Sequence, residues 1–592
     1  MPPLTQIATM SDKMLKLKRE RDAAREHQKR RHEDWNDNYE LYRNKVRTNR
    51  LTQRQAVNLP LMKETIKTIL SRIDEPPNVD WKEKSSDELK ELIFQEMWNQ
   101  TYKDQKLEWV DVLDKKNVLL YGLSTKFLNP QDGQINISVL DIYDVVYDPL
   151  MNPLDIESAR FIIRQNIFRS LREVLADERY SEEGKEKLKM WSMSPQGIIQ
   201  SGSNKKEWEK KMERARAMGV NHSEFAHFAA GDVIVNLCEH YTLEWNVKEK
   251  QFEKHVCVYA DEWCELMDEK LTELIGVDFY PLVLWFEDPE TNDIYPDGVA
   301  DLVRTPNKVI NVWYSQLIEN RTLQNFQMHW YDATNDKYKP QTYEPGPGRM
   351  LPAPGNPNET ILPVAINGLD ETLTAIDFIT RIVERGSGAT AIEKGVAEKG
   401  TQTLGEVEIL VGKAMERSVS MQKFYRGSWY ELSKKWADLL HANPPRKTTL
   451  YRTGASGKLY EKVVYASDWK SKAGYEPVVS SSSEQEANDV KTVQKYFAVL
   501  AQFPDNPELR KIAQQRQLEL LDFTPDELKR VLDAEEDRMA QEQQMMEQQQ
   551  MMGQTQPVQQ APQALQQAPQ LPTPAEGGDP ELDSMLQELA TI

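Results

Sequence analysis

Cysteine is nearly missing from these 592 residues: Cys238, Cys257 and Cys264 are the full set. Three thiols exclude a disulfide framework and fit a reducing compartment, where they stay reduced. Long apolar runs are lacking as well. No stretch of about 18 apolar residues is present to span a bilayer, and the N-terminus turns charged at Asp12 and Lys13, so neither a membrane span nor a secretory signal is expected. The chain is therefore read as soluble and intracellular when made. Positive charge is in deficit, with 74 Lys and Arg against 94 Asp and Glu and a formal charge of −20. That balance repels a polyanion, which argues against wrapping nucleic acid by counterion release but allows contact without adhesion. A phosphate-binding loop of the Gly-x4-Gly-Lys-Ser/Thr type is also absent. The segment Gly454-Ala455-Ser456-Gly457-Lys458-Leu459 has the wrong spacing and lacks the hydroxyl residue, so a motor ATPase is not expected.

What is present is length and apolar content, 39% hydrophobic, enough for several cores, because single cores stop growing near roughly 250–300 residues. Lys13 to Arg54 is dense in Lys, Arg and Glu, with Leu15, Trp35, Tyr39, Leu41 and Tyr42 as sparse apolar points, and reads as a long, mostly solvated helix. After Asn58-Leu59-Pro60, the spacing of Met62, Ile66, Ile69 and Ile73 predicts a core-facing helix, stopped at Glu75-Pro76-Pro77. Ser86 to Leu120 reads as further helix, ending in Tyr121-Gly122. Strand character follows in Thr125–Leu128, Ile135–Leu140, Val145–Tyr147 and Phe161–Gln165, and Ser170 is a plausible helix cap. Val233–Trp245 and Gln251–Tyr259 flank Val247-Lys248-Glu249-Lys250 as a hairpin, Ser194–Ala230 reads as a surface loop, and Phe279–Trp285 reads as a buried strand.

From Ile294 to Gly388 the chain runs turn, apolar helix, proline-rich extended stretch, second apolar helix and glycine stop. Thr305-Pro306 supplies an N-cap oxygen and a proline suited to the first helical position, ahead of Val309, Ile310, Trp313, Leu317 and Leu323 on one broad face. Phe326 to Leu369 holds seven prolines and no helical period, with candidate short strands at Met328–Tyr331, Met350-Leu351 and Ile361–Ala365. Glu371 to Glu384 returns to helix through Ile376, Ile379, Ile382 and Val383, and Gly386 and Gly388 end it. Gly386–Gly400 has four glycines and reads as a mobile loop, after which a long helix runs from Thr403 to His441. A second hairpin is expected at Thr448–Tyr451 and Leu459–Tyr465, then a linker at Ser480–Ser483 and three helices from Asn488 to Met539. The Gln, Pro and Met-rich tail beyond Gln541 buries too little apolar surface to offset chain entropy, and is expected to be disordered up to a short terminal helix around Leu582 to Leu589.

Candidate chemistry is weak by comparison. Cys238-x-His240 and His255-x-Cys257 fall on the two arms of the first hairpin, where residues two apart share a face, so all four can converge on zinc. The preferred reading is that the cysteines are small hydrophobes and the histidines lie on the outer face. Asp141 with Asp144, Glu287 with Asp288, and Asp297 with Asp301 are spaced to hold magnesium in a nuclease, but 94 acidic residues produce such pairs by chance. The basic run Lys16, Lys18, Arg19, Arg21, Arg25, Lys29, Arg30 and Arg31 suits a nucleic acid or an acidic partner; interleaved with Glu20, Asp22 and Glu26, it reads preferentially as a solvated face. No catalytic, metal-binding or cofactor residue is assigned.

The block Asp293-Ile294-Tyr295-Pro296-Asp297-Gly298-Val299-Ala300-Asp301-Leu302-Val303-Arg304-Thr305-Pro306-Asn307-Lys308-Val309-Ile310-Asn311-Val312-Trp313-Tyr314-Ser315-Gln316, followed by Glu319-Asn320-Arg321, resembles the portal (head-to-tail connector) proteins of tailed bacteriophages. Gly400-Thr401-Gln402-Thr403-Leu404-Gly405-Glu406-Val407 is also similar to that family, and the order of elements agrees over most of Leu51 to Met539. The resemblance implies an α+β, predominantly helical fold. Its parts would be a wing (residues 1–304), a first stem helix (305–325), a clip (326–370), a second stem helix (371–385), a tunnel loop (386–402), the rest of the wing (403–483), a helical crown (484–540) and the low-complexity tail (541–592).

By the same resemblance twelve copies form a ring at one capsid vertex, in a virion assembled in the host cytoplasm. Double-stranded DNA passes through it during packaging and ejection, without sequence specificity and without enzymatic action by the chain. Stem contacts between copies would involve Val309, Val312, Trp313, Leu317, Ile376 and Ile379. Tyr331, Tyr343 and Arg349 of the clip would meet the terminase large subunit and then a tail adaptor, while crown and tail face the capsid or scaffold protein. Glu393, Lys394, Glu398 and Lys399 of the tunnel loop would line the channel. Another virion adaptor or scaffold, or a metal-dependent nucleic-acid enzyme, are the alternatives the residues leave open.

Overall fold

Residues 12–45, 57–85, 87–131, 133–193, 234–260, 264–325, 329–331, 361–363, 370–388, 404–453 and 459–481 are described by the computed structural model. All of them belong to one compact unit, residues 1–499; a second unit, residues 500–592, lies outside them. The expected surface loop at 194–230, the expected crown and the tail fall outside the described residues, as do most of the clip and the tunnel loop.

The first half runs α1 (Asp12–Tyr42), α2 (Leu61–Arg72), β1 (Pro77–Glu83), α3 (Glu88–Asp104), α4 (Leu107–Tyr121), β2 (Leu123–Gln131), β3 (Gln134–Leu140), β4 (Val145–Tyr147), β5 (Phe161–Ser170), α5 (Leu171–Ala176) and α6 (Glu182–Met193). After it come β6 (Ile234–Asn246), β7 (Gln251–Ala260), β8 (Cys264–Lys270), α7 (Leu271–Ile275), β9 (Leu282–Phe286), α8 (Val299–Asn325), β10 (His329–Tyr331), β11 (Ile361–Pro363), α9 (Asp370–Ser387) and α10 (Leu404–Ala442). The last elements among the described residues are β12 (Thr448–Thr453), β13 (Leu459–Val464), α11 (Ala466–Trp469) and β14 (Tyr475–Ser481).

Local chemistry accounts for several boundaries. Asp87 and Ser170 accept hydrogen bonds from the N–H groups of Lys90 and Glu173 and so start α3 and α5. The expected single helix over 86–120 is two, because Lys106 takes a left-handed backbone conformation (φ 52°) between α3 and α4. Gly122, at φ 79°, closes α4, and a Cβ there would lie 2.3 Å from the Pro296 carbonyl oxygen, so only glycine fits both the turn and the approach.

Among the described residues the sheets are antiparallel throughout. One has the order β3-β2-β9, a second β4-β5-β6-β7-β8, and three are two-stranded pairs, β1-β14, β10-β11 and β12-β13. The pairing of Pro77–Glu83 with Tyr475–Ser481 stitches the segment after α10 back to the start of the fold. It also corrects the expected linker at Ser480, which lies in a strand, because β14 has a partner that is remote in sequence. Beside this pair, Trp81, Phe94, Trp98, Trp436, Trp469 and Tyr475 form an aromatic core, with Phe94 and Tyr475 stacked at 3.9 Å between ring centres. Each such ring pair adds roughly 0.5–1.5 kcal/mol beyond burial of its area.

Helix α1 corrects a larger expectation. It is not a mostly solvated support: Met14, Leu17, Arg21, Ala24, Gln28, Trp35, Asn38 and Leu41 are buried, at spacings of three, four and seven. Three of these inward positions are polar and therefore invisible to a count of hydrophobes. Gln28 Nε2 donates to the Ile142 and Val145 carbonyls at 2.7 and 2.8 Å, and Asn38 Nδ2 donates to the Leu120 carbonyl at 3.1 Å. These bonds offset the desolvation of the Gln28 and Asn38 amide nitrogens, while Asn38 Oδ1 has no hydrogen-bond partner among the described residues.

Candidate functional site

The two helices expected from sequence to bracket an insertion are α8 and α9. Helix α8 packs on α9, and the core joins Val303 and Ile310 of the first to Ile376 and Val383 of the second. A Cβ on Gly386, near the end of α9, would lie 3.0 Å from the Leu302 side chain near the start of α8, so the two rods run antiparallel. Just beyond the far end of α8, His329–Tyr331 pairs with Ile361–Pro363, which ties the two ends of the insertion together. Both strands fall inside those expected from sequence.

Helix α8 begins at Val299, not at Thr305, and Pro306 lies within it. The first rod is therefore 27 residues, about 40 Å. The reason is a cap built upstream. Glu287 Oε2 accepts from the Val299 N–H at 2.7 Å, and Asp301 Oδ2 accepts from the Gly298 N–H at 2.9 Å, satisfying donors that a helix end leaves orphaned. Gly298 is required here because a Cβ would lie 2.7 Å from the Gly122 nitrogen. Burial pushes the Glu287 carboxyl up to about 8, with Asp288, Asp301 and Asp297 acting in the same direction.

Asp301 is the hub of this rod root. It accepts from Arg31 Nη2 at 2.8 Å, Asn38 Nδ2 at 3.0 Å and Arg304 Nη1 at 2.6 Å. Arg31 also meets Asp297 at 2.7 Å, Arg304 meets Asp34 at 3.0 Å, and Lys308 pairs with Asp37. Part of the basic run thus finds its acidic partner in this chain, and the solvated-face reading is corrected for Arg31 and for the buried Arg21. Arg31→Met is expected to lower stability by about 2 kcal/mol, the scale of hydrogen bonds to charged groups, read as a lower thermal midpoint. An unchanged midpoint would show that α1 does not clamp the rod.

The expected stem residues divide by position. Ile376 is buried in the chain's own core, so it is not free to meet another copy; Val309, Trp313, Leu317 and Ile379 are half-buried, and Val312 is exposed. Sequence reasoning missed Phe378, the most exposed apolar side chain of the rods at 64%, together with Leu302 and Leu373. The signal was available: at about 100° per residue, Ile376, Ile379 and Val383 form one stripe, and Phe378 with Ile382 forms a second. Tyr331 lies on β10 opposite Ile361. Tyr343, Arg349, Glu393, Lys394, Glu398 and Lys399 lie outside the described residues.

The hairpin Cys and His residues do share one sheet face, since His240 pairs with Cys257, Cys238 with Tyr259 and Thr242 with His255. Helix α1 covers that face. Met14 and Leu17 pack on Cys238, Cys257 and Tyr259, and His240 Nε2 lies 3.1 Å from Glu20, so the expectation of outward histidines is corrected for His240, which is fully buried. Burial pushes the Cys257 thiol well up and the His240 imidazole down. Among the acidic pairs, Asp297 and Asp301 bind Arg31, Glu287 caps α8, and Asp144 accepts from Asn166 at 3.0 Å. Among the described residues no group of three or more His, Cys, Asp or Glu is placed to hold a metal ion. Among them, too, no helix is long and apolar enough to cross a membrane.

No family model and no curated protein matches this chain. Among solved structures, similarity is found to a chain from the virion of a native gene transfer agent (GTA) particle, with a TM-score of 0.32 and 11% identity over 77% of this chain and 90% of that one. A score at that level does not establish a shared fold.

Proposed function

We propose that this chain is the subunit of a viral portal: a ring-shaped channel at one capsid vertex through which double-stranded DNA enters during packaging and leaves on ejection, and on which head and tail are joined. One observation carries the reading, the pair of antiparallel rods that brackets an insertion closed at its base by β10 and β11. A rod pair of this kind buries one stripe within the chain. Its second stripe, with Phe378, Ile382, Leu373 and Val312 exposed, is left for a neighbour.

Charge supports a conduit. Copies at −20 each repel duplex phosphates and limit sticking during transit, while Lys394 and Lys399 of the tunnel loop supply brief contacts. The clip would dock the terminase large subunit and then a tail adaptor, and the chain itself performs no chemistry and needs no cofactor. Negative-stain microscopy and mass measurement of the purified full chain test this. A closed ring, twelve copies in the family pattern, with a central hole wide enough for duplex DNA is expected. A stable monomer at all concentrations would sink the reading.

A further inference from the structure

The five-stranded sheet ends in a finger. Strand β5 starts at Phe161 opposite Thr242, and β8 ends at Lys270 opposite His255, so the hairpin formed by β6 and β7 runs on beyond both neighbours, from Leu243 to Lys254. At its tip Trp245 and Phe252 face each other edge-on at 4.9 Å, and with Val247 they are 52%, 60% and 78% exposed. The loop after β4 is fastened to the finger's base, through the Leu243 N–H on the Arg160 carbonyl at 2.8 Å and the Lys254–Glu157 ion pair. That loop adds Leu150 and Leu154, 79% and 69% exposed, at the same end of the sheet.

A two-stranded ribbon is marginal by itself in water, and five large apolar side chains left open at one end of a sheet mark a surface that is covered in use. Charge identifies the cover. Of the finger's acids, Glu244 is answered by Lys13 at 3.1 Å and Glu253 by Lys270 at 3.0 Å, and Glu249 at the turn accepts from Gln251 at 2.8 Å, whereas Lys248 and Lys250 have no acidic partner among the described residues. The turn Val247-Lys248-Glu249-Lys250 therefore keeps a net charge of +1, on a chain with 20 surplus negative charges. Duplex DNA would satisfy the lysines but not the aliphatic side chains, because its bases are stacked away. A protein surface of net acidic character satisfies both.

We infer that this end of the sheet, Leu150, Leu154, Trp245, Val247, Lys248 and Phe252, docks on a neighbouring copy of the same chain. The inference rests on the ring reading above and names one side of its head-to-tail contact. The test uses the full chain, the double variant Trp245→Ser/Phe252→Thr and the charge variant Lys248→Glu/Lys250→Glu, each checked for an unchanged thermal midpoint, with assembly followed by sedimentation velocity and mass photometry across protein concentration. Both variants are expected to need about tenfold more protein, or above, to assemble, and the charge variant to recover as salt rises. If the unaltered chain assembles and both variants match it, the docking surface is refuted while the ring stands. If the unaltered chain never assembles, the ring reading fails and this inference with it. If assembly is unchanged but the variants lose affinity for a duplex of about thirty base pairs in fluorescence anisotropy, the finger serves nucleic acid and the inference is overturned.

Discussion

Lys126→Met is expected to destabilise the folded unit by about 3–5 kcal/mol, seen as a lower denaturation midpoint. Lys126 is fully buried on β2. Its Nζ lies 2.5 Å from Asp114 Oδ2 and 3.0 Å from Ser428 Oγ, with the Trp285 and Trp429 rings at 5.7 and 5.6 Å. Asp114 is fully buried too, and its second oxygen has no hydrogen-bond partner among the described residues. Methionine fills the volume but leaves that carboxylate in an apolar surround with no cation, and the uncompensated charge is what costs. Replacing both partners, Asp114→Leu with Lys126→Met, removes the charge along with its counterion and is expected to recover most of the loss. A single variant within about 1 kcal/mol of the parent would show that water reaches the pair.

The same pattern recurs along α10. Lys115 and Asp111 pair at 2.5 Å, and Tyr425 and Trp429 of α10 donate to Asp111; Lys435 bonds Glu157 and the Tyr280 and Leu282 carbonyls at 2.8–3.0 Å. These polar contacts fix the register of a helix whose apolar positions alone would tolerate sliding.

How legible all this was depended on whether a signal was local. Helix α2 was readable because Met62, Ile66, Ile69 and Ile73 repeat at helical spacing, and all four are buried. The β6–β7 hairpin was readable from two β-rich runs around a four-residue turn. The pairing of β1 with β14 was not, since nothing in Pro77–Glu83 points to a partner nearly 400 residues away. Nor was the seat of α1, because Arg21, Gln28 and Asn38 occupy inward positions and only the fold supplies their partners. At the rod root the sequence pointed to Thr305-Pro306 as the start of α8, and the helix instead begins at Val299. The helix starts upstream because Glu287 and Asp301 reach the Val299 and Gly298 amides, partners that are remote from Thr305 in the local pattern. Tyr343, Arg349 and the tunnel-loop charges rest on the family resemblance alone.

Glu287→Gln is expected to remove the share of Glu287 in the stability that the parent chain loses between about pH 5 and pH 9. The carboxyl sits beside the first amide of α8, and a helix N-terminus favours a negative group by roughly 0.3–1 kcal/mol. Burial outweighs that, and Asp288, Asp301 and Asp297 add repulsion, so the group rises from 4.5 in the unfolded chain to about 8. The sign follows from linkage. A folded value above the unfolded one means that the folded chain holds the proton more tightly, so the contribution is complete below pH 4.5 and is lost as pH rises through 8. At about 1.4 kcal/mol per unit the full swing is about 3–5 kcal/mol. Glutamine keeps an oxygen for the Val299 N–H and has no charge to bury, so parent and variant should match near pH 5 and diverge toward pH 9, with the variant more stable. His240, pushed below its usual 6.5 by burial, contributes with the opposite sign, its stability being lost as pH falls from 6.5, so measurements between pH 7 and 9 isolate Glu287. Parallel thermal midpoints for the two proteins over that range would show that the carboxyl is already ionised at neutral pH. A divergence would instead place the alkaline weak point of the fold at the start of the first rod, where α1, α4 and α8 are held together through Asn38, Asp301 and the close contact of Gly122 with Gly298.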